Sequence, residues 1–136
     1  MKKIGITGGS GLLGKLLIKE LKKINTQYSN FNNDITNKKH VEEWLIKNKS
    51  IEYIFHFAAY TSVTRSNANM AKAYKVNVLG VENLINSIHK SKKKITVFFA
   101  SSSHVYKYSK KPIKETYKLI PISYYGKTKL LAEKKI

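Results

Sequence analysis

The stretch Thr7-Gly8-Gly9-Ser10-Gly11-Leu12-Leu13-Gly14 restricts the fold of this chain more than any other, because it sets Gly8, Gly11 and Gly14 between a short apolar run and an amphipathic segment. Lys3-Ile4-Gly5-Ile6-Thr7 reads as a buried strand, and Leu12, Leu13, Leu16, Leu17 and Leu21 recur at helical spacing up to Lys22-Lys23. In such a strand-turn-helix unit, Gly8 permits the tight turn. Gly11 lets backbone approach a pyrophosphate, and Gly14 lets the helix pack closely on the sheet. The helix N-terminus then aims unpaired N–H groups and its positive dipole end at the phosphates. A plain strand-to-helix turn uses the same glycines; the flanking strand and helix favour dinucleotide binding.

The pattern continues in alternation. After a polar stretch in which residues 27–29 suit a short strand, a helix fits residues 38–49, with Val41, Trp44 and Leu45 on one face. Residues 52–57 read as a buried strand. A helix over about 69–90 carries Val76, Val78, Leu79, Val81, Leu84, Ile85 and Ile88, and is followed by a strand at 95–100. A polar loop then leads to a helix over 124–136, with Leu130, Leu131 and Ala132 available for packing. Strands alternating with helices predict right-handed crossovers and a mainly parallel, doubly wound α/β sheet covered on both faces. With 136 residues and no internal boundary, residues 1–136 form one domain.

Composition narrows the function. The absence of cysteine removes disulfides, thiolate zinc sites and cysteine nucleophiles, and His40, His56, His89 and His104 lack ligand spacing, so no metal site is expected. Apolar runs such as Val97-Phe98-Phe99-Ala100 are too short to span a membrane, and glycines interrupt any signal-peptide core behind Met1-Lys2-Lys3. A cytoplasmic location is expected. The net charge of +18 would suit a nucleic-acid partner, but Arg65 is the lone arginine among 26 basic residues. Base readout and phosphate forks lean on arginine geometry. A lysine-rich solvated surface with weak polyanion adhesion, and no specific nucleic-acid partner, fits better.

Two further features carry chemistry. Tyr125 and Lys129, four apart at the start of the last helix, share a face, so the ammonium of Lys129 can favour the phenolate of Tyr125. A tyrosine ordinarily titrates near pH 10 (about three units above neutrality) and needs that help to exchange protons there. Ser101-Ser102-Ser103-His104-Val105-Tyr106 directly follows a strand, where loops of open α/β sheets form the ligand crevice, and a serine hydroxyl there can donate to a carbonyl.

With these residues in order, the chain resembles the extended short-chain dehydrogenase/reductase family, also called the NAD-dependent epimerase/dehydratase family. The resemblance runs over essentially the whole chain: Thr7-Gly8-x-x-Gly11-x-x-Gly14, Asp34-Ile35, Phe57-Ala58-Ala59, Asn77 with Gly80, Ser102, and Tyr125-x-x-x-Lys129. Asp34-Ile35-Thr36, Ala58-Ala59-Tyr60-Thr61 and Tyr125-Gly126-Lys127-Thr128-Lys129-Leu130 look most like the dTDP-4-dehydrorhamnose reductase branch. The resemblance implies an NAD(P)-binding Rossmann fold and a cytoplasmic oxidoreductase or epimerase of a nucleotide-linked sugar. Tyr125 would be the general acid/base, Lys129 its partner and a nicotinamide-ribose ligand, and Ser102 the hydrogen-bond partner of the substrate oxygen. Hydride would pass between nicotinamide C4 and a sugar carbon. Gly8, Gly11, Leu12, Leu13 and Gly14 would follow the pyrophosphate, and Asp34 and Ile35 the adenine. Phe57, Ala58, Ala59 and Tyr60 would line the cofactor's inner side; Asn77 is implied as a cofactor contact or a helix packing residue.

Three departures qualify this. Asp34 has the spacing of a ribose-binding carboxylate, yet Ile35-Thr36 matches an adenine contact, and the segment around Ser29-Asn30 carries no acid. NADP is therefore permitted, slightly favoured over NAD, although no arginine is there to hold its 2′-phosphate. Ser103-His104 stands where dehydratases of the family place an Asp-Glu pair, which disfavours water elimination; His104 is itself a candidate proton donor or a plain loop histidine. Family members run about twice as long, so the chain reads as truncated before the C-terminal substrate-binding part. A non-catalytic NAD(P)-binding subunit of the same fold is the alternative, self-association of the isolated chain is expected, and a homodimer stays open.

Overall fold

The computed structural model describes residues 3–136; Met1 and Lys2, the start of the basic amino terminus, lie outside the described residues. Strand β1 (Lys3–Thr7) leads through the glycine turn into α1 (Leu12–Lys23), which stops where Asn25 adopts φ 51° and Thr26 N–H donates to the Leu21 carbonyl at 2.9 Å. Strand β2 (Tyr28–Phe31) follows, later than the expected 27–29, because its register is fixed by parallel pairing of Ile4 with Tyr28 through Thr7 with Phe31. Helix α2 (Lys38–Lys47) begins at Asn37, whose side chain accepts from the N–H groups of Lys39 and His40. It leads into β3 (Ile51–His56).

The next helical region departs from a single expected helix. It consists of α3 (Val63–Ala68), α4 (Met70–Tyr74), a π-helical turn (Lys75–Leu79) and α5 (Gly80–Lys90). Asn69 separates the first two by capping Lys72. Strand β4 (Thr96–Phe99), a 3-10 turn (Ser103–Val105) and α6 (Tyr124–Glu133) complete the chain.

The four strands are parallel in the order β2-β1-β3-β4. The chain winds outward from β1 in one direction to β2 and in the other to β3 and β4, so its topological switch point lies between the carboxyl ends of β1 and β3. That is where open α/β sheets bind ligands. The core is built by α2 and α5 against one sheet face: Phe31, Val41, Trp44, Leu45, Ile54, Leu84 and Ile88, with Phe31 edge-on to Trp44 at 5.4 Å between centroids. The leucine stripe of α1 is buried only in part: Leu21 is covered, whereas Leu12, Leu13 and Leu16 are more than half exposed. Among the described residues no helix is long and apolar enough to cross a membrane.

Candidate functional site

A cavity of about 680 Å³ opens at the switch point. Its floor is the turn between β1 and α1. Gly8 takes φ +73°, and a Cβ on Gly14 would lie 2.4 Å from the Gly8 carbonyl oxygen, so the turn closes only with glycine at both places. Gly11 caps α1 in extended conformation without any side-chain hydrogen bond, which leaves the first-turn N–H groups of Leu12 and Leu13 without intrahelical partners. These donors, the dipole of a 12-residue helix and backbone bare of side chains form a cradle fitted to a diphosphate.

Of the residues expected at a cofactor, Gly8, Gly11, Leu12, Leu13, Gly14, Asp34, Ile35, Phe57, Ala58 and Ala59 all line this cavity. Tyr60, Asn77, Ser102, Tyr125 and Lys129 do not. Sequence reading left out Gly9, Ser10, Asn30, Phe31, Asn32, Asn33, Thr61 and Val76, which also line it. The polar run after β2 was the available signal for the asparagines, since it must end beside the glycine turn once β2 pairs with β1. Asp34 is exposed and its carboxylate accepts from the Thr36 N–H at 2.9 Å; that hydrogen bond holds its pKa below the usual carboxylate value.

Asn77 sits in the π-helical turn, 2% exposed, with its amide engaged by protein. Its Oδ1 accepts from the Tyr60 N–H at 2.7 Å, and its Nδ2 donates to the Tyr60 carbonyl at 3.2 Å and to Thr128 Oγ1 at 2.9 Å. Thr128 in turn donates to the Tyr125 carbonyl at 2.8 Å. One side chain thus fastens the strand-end loop that walls the cavity to the helix that carries Tyr125 and Lys129. A π-turn that re-aims one residue in this way is a frequent companion of functional sites.

Helix α6 starts at Ser123, whose hydroxyl accepts from the Gly126 N–H at 3.0 Å. A Cβ on Gly126 would lie 2.2 Å from the His104 carbonyl oxygen, so glycine is what lets the 3-10 turn press against α6. Within that turn Ser102 Oγ accepts from the His104 N–H at 3.2 Å, and the His104 ring meets Tyr125 edge-on at 5.8 Å. Ser102, His104 and Tyr125 are therefore brought together.

Lys129 is buried, with Nζ 4.0 Å from the centre of the Phe99 ring. Loss of water lowers its pKa from 10.5 to about 8, while the Glu133 carboxylate one turn later pulls the other way. Glu133 itself accepts from Ser101 Oγ. Phe99 also stacks on His56, which is buried, hydrogen-bonded through Nδ1 to Thr7 Oγ1 at 2.8 Å, and driven from 6.5 to about 3 by burial and then by the Lys129 charge. Thr7 Oγ1 accepts in addition from the Ala58 N–H at 3.3 Å, which ties the two strand ends of the switch point together. The arrangement offers a cradle for a diphosphate, a neighbouring phenol and amine for proton exchange, and a hydroxyl beside them.

Residues 1–136 match the family model described as RmlD substrate binding domain. A UDP-glucose 4-epimerase of Lactobacillus helveticus is 30% identical over 151 residues, covering 97% of this chain and 45% of that protein. A dTDP-4-dehydrorhamnose reductase of Aggregatibacter actinomycetemcomitans is 34% identical over 142 residues, covering 98% and 46%. Among solved structures, a dTDP-4-dehydrorhamnose reductase of Bacillus anthracis in complex with NADP superposes with a TM-score of 0.88 at 28% identity, covering 99% of this chain and 49% of that one. The chain spans about half the length of the relatives it matches.

Proposed function

This chain belongs to the RmlD substrate binding domain family, within the extended short-chain dehydrogenases/reductases, and from that premise we propose that residues 1–136 form an NAD(P)-binding domain acting in reduction or epimerisation of a nucleotide-linked sugar. The observation that carries the reading is the position of buried Tyr125 and Lys129, locked through Thr128 and Asn77 to the wall of a glycine-floored cavity. Bound in that cavity, the dinucleotide supplies reversible two-electron chemistry at its nicotinamide ring.

The remaining roles fall to the chain's own groups. Backbone N–H groups at the start of α1 hold the diphosphate, and Ala58 and Ala59 leave the inner wall flat for the cofactor. Tyr125 Oη gives a proton to the substrate oxygen as a carbonyl becomes a hydroxyl, and takes it back in the reverse direction. Below pH about 8 Lys129 carries its proton, so a cation stands one helical turn from that phenol. Ser102 donates to the same substrate oxygen and orients it.

The test follows loss of reduced-nicotinamide absorbance with a nucleotide-linked keto-hexose. Tyr125→Phe should lower kcat by roughly two to four orders of magnitude, the usual share of a general acid, with NADPH affinity changed less than about threefold. Turnover unchanged by Tyr125→Phe removes the assignment.

A further inference from the structure

Burial makes the Lys129 ammonium hard to keep at the site. The side chain is 3% exposed, and loss of water alone drives it toward the neutral amine. Its Nζ lies 4.0 Å from the centre of the Phe99 ring, a contact that favours a cation but brings no countercharge. Helix α6 packs against α3, α4, the π-helical turn and the 3-10 turn. The charged and titratable residues of those elements are Arg65, Lys72, Tyr74, Lys75 and His104, and none is an acid. Strand β3 adds His56, held neutral by burial, and β4 adds none. On α6 itself stand Tyr124, Tyr125 and Lys127, with a single carboxylate, Glu133.

Glu133 differs from Glu20, Glu42 and Glu82, which hold lysine ammonium groups at the surface at 2.7, 3.1 and 3.3 Å. It accepts from the Ser101 hydroxyl instead, and Lys135, two residues on, is drawn away to Glu82. The Ala100 N–H donates to the His56 carbonyl at 3.3 Å, so the chain runs past β4 in strand register and Phe99 and Ser101 fall on one side of it. On α6, Lys129 and Glu133 share a side because four residues make about one turn. The two periods meet in two rungs, Phe99 with Lys129 and Ser101 with Glu133. The second rung fixes a negative charge one turn from the buried amine.

We propose that Glu133, anchored by Ser101, is a positioning residue that supplies the countercharge holding the Lys129 ammonium against Phe99. The proposal rests on the role given to Lys129 above, and Glu133 acts through Lys129 alone. A plain tether between the end of β4 and α6 would use the same hydrogen bond without using the charge. Glutamine separates the two, since its Oε1 still accepts from Ser101 while the charge is gone.

The experiment records side-chain NMR spectra of the 136-residue chain, labelled with carbon-13 at lysine Cε, from pH 6 to 11 and without cofactor. Lys129→Met identifies the Lys129 signal by its loss. In the unsubstituted chain that signal should titrate at about 8, well below the ordinary 10.5. Glu133→Gln should lower the midpoint by about half a unit to one unit, the effect of one charge removed from a partly solvated place. A drop of one unit takes the charged fraction at pH 7.5 from about three quarters to about one quarter, a loss of about threefold. Ser101→Ala, which frees the carboxylate to swing into solvent, should move the midpoint the same way by a smaller step.

A midpoint within about 0.2 units of the unsubstituted chain in Glu133→Gln, or one that rises, overturns the proposal and leaves Glu133 a tether. Circular dichroism shows whether that variant is folded; if it is not, Ser101→Ala decides by the same criterion. A Lys129 signal near 10.5 in the unsubstituted chain also overturns it, since an ammonium in water needs no countercharge. With no cofactor present, a failed titration leaves the dinucleotide reading standing. Absence of NADH and NADPH binding at millimolar concentration removes that reading instead, and overturns the positioning role with it.

Discussion

Lys129→Met should make the protein more stable at neutral pH, by an amount that the burial of the amine sets. In the folded chain Lys129 is 3% exposed and its pKa falls from 10.5 to about 8. Lowering a pKa by one unit corresponds to about 1.4 kcal/mol, so holding the ammonium in place at pH 7 costs about 3 kcal/mol of folding free energy. The Phe99 ring under Nζ favours the charged form and returns part of this, leaving a net cost of about 2–3 kcal/mol. Methionine keeps the unbranched stem and has no charge to desolvate. The sign is fixed by proton binding. Between pH 8 and 10.5 the unfolded chain holds a proton at Lys129 that the folded chain has lost, so stability rises with pH across that window. Below about pH 8 both states are protonated and the cost is constant. Urea unfolding at intervals from pH 6.5 to 10 should therefore show Lys129→Met ahead by about 2–3 kcal/mol at pH 7. The unsubstituted chain should then close the gap at up to about 1.4 kcal/mol per pH unit above pH 8. Measuring the difference between the two chains removes the common contribution of the other lysines. A gap independent of pH, or a variant less stable at pH 7, would refute the argument.

Two further outcomes follow from neighbouring groups. His56, lowered from 6.5 to about 3 by burial, stays neutral in the fold while the unfolded chain protonates; stability should fall by up to about 1.4 kcal/mol per pH unit as pH drops below 6.5. His56→Asn, which keeps a polar partner for Thr7, should flatten that limb in the same urea series. Gly126→Ala gains about 1 kcal/mol of helix propensity but drives a Cβ to 2.2 Å from the His104 carbonyl, a backbone clash costing about 1–3 kcal/mol. A melting temperature a few degrees lower is expected (about 2–6 °C), and a variant melting at or above the parent would show that the His104 turn does not pack there.

How much of this was legible depended on whether an element is made by its own residues. The glycine turn was, because φ at Gly8 and the contact at Gly14 are demands of the local chain. So were α2, which carries its own cap at Asn37, and α6, which carries one at Ser123. Strand β2 was displaced, since Gln27, Tyr28 and Ser29 offer little alternation and the pairing with β1 sets the register. The break between α4 and α5 was hidden for the same reason. Residues 69–90 have helical periodicity throughout, and the π-turn arises from Asn77 bonding to Tyr60 and Thr128, the latter 51 residues away. The leucines of α1 gave the helix by their spacing, and Leu12 and Leu13 border the cavity, on the side where the resemblance set them.

The same distinction explains how a chain about half as long as its relatives brings so many chemical groups together. In a parallel sheet every strand ends on one edge, so each crossover returns the chain to the same place. The glycine turn after β1, the asparagines after β2, Ala58 to Tyr60 after β3 and Ser102 after β4 all gather there. On one sheet face Phe98, 47% exposed, stacks on Phe55 at 4.6 Å; the adjacent pair Ile54 and Val97 turns to the Trp44 core on the other. At the carboxyl edge, by contrast, His56 and Lys129 are both buried and both pushed toward their neutral forms around Phe99. Apolar residues would fill that space with less cost to stability. Both groups converge on Phe99, at the edge where the sheet gathers its loops, an arrangement that packing alone does not call for.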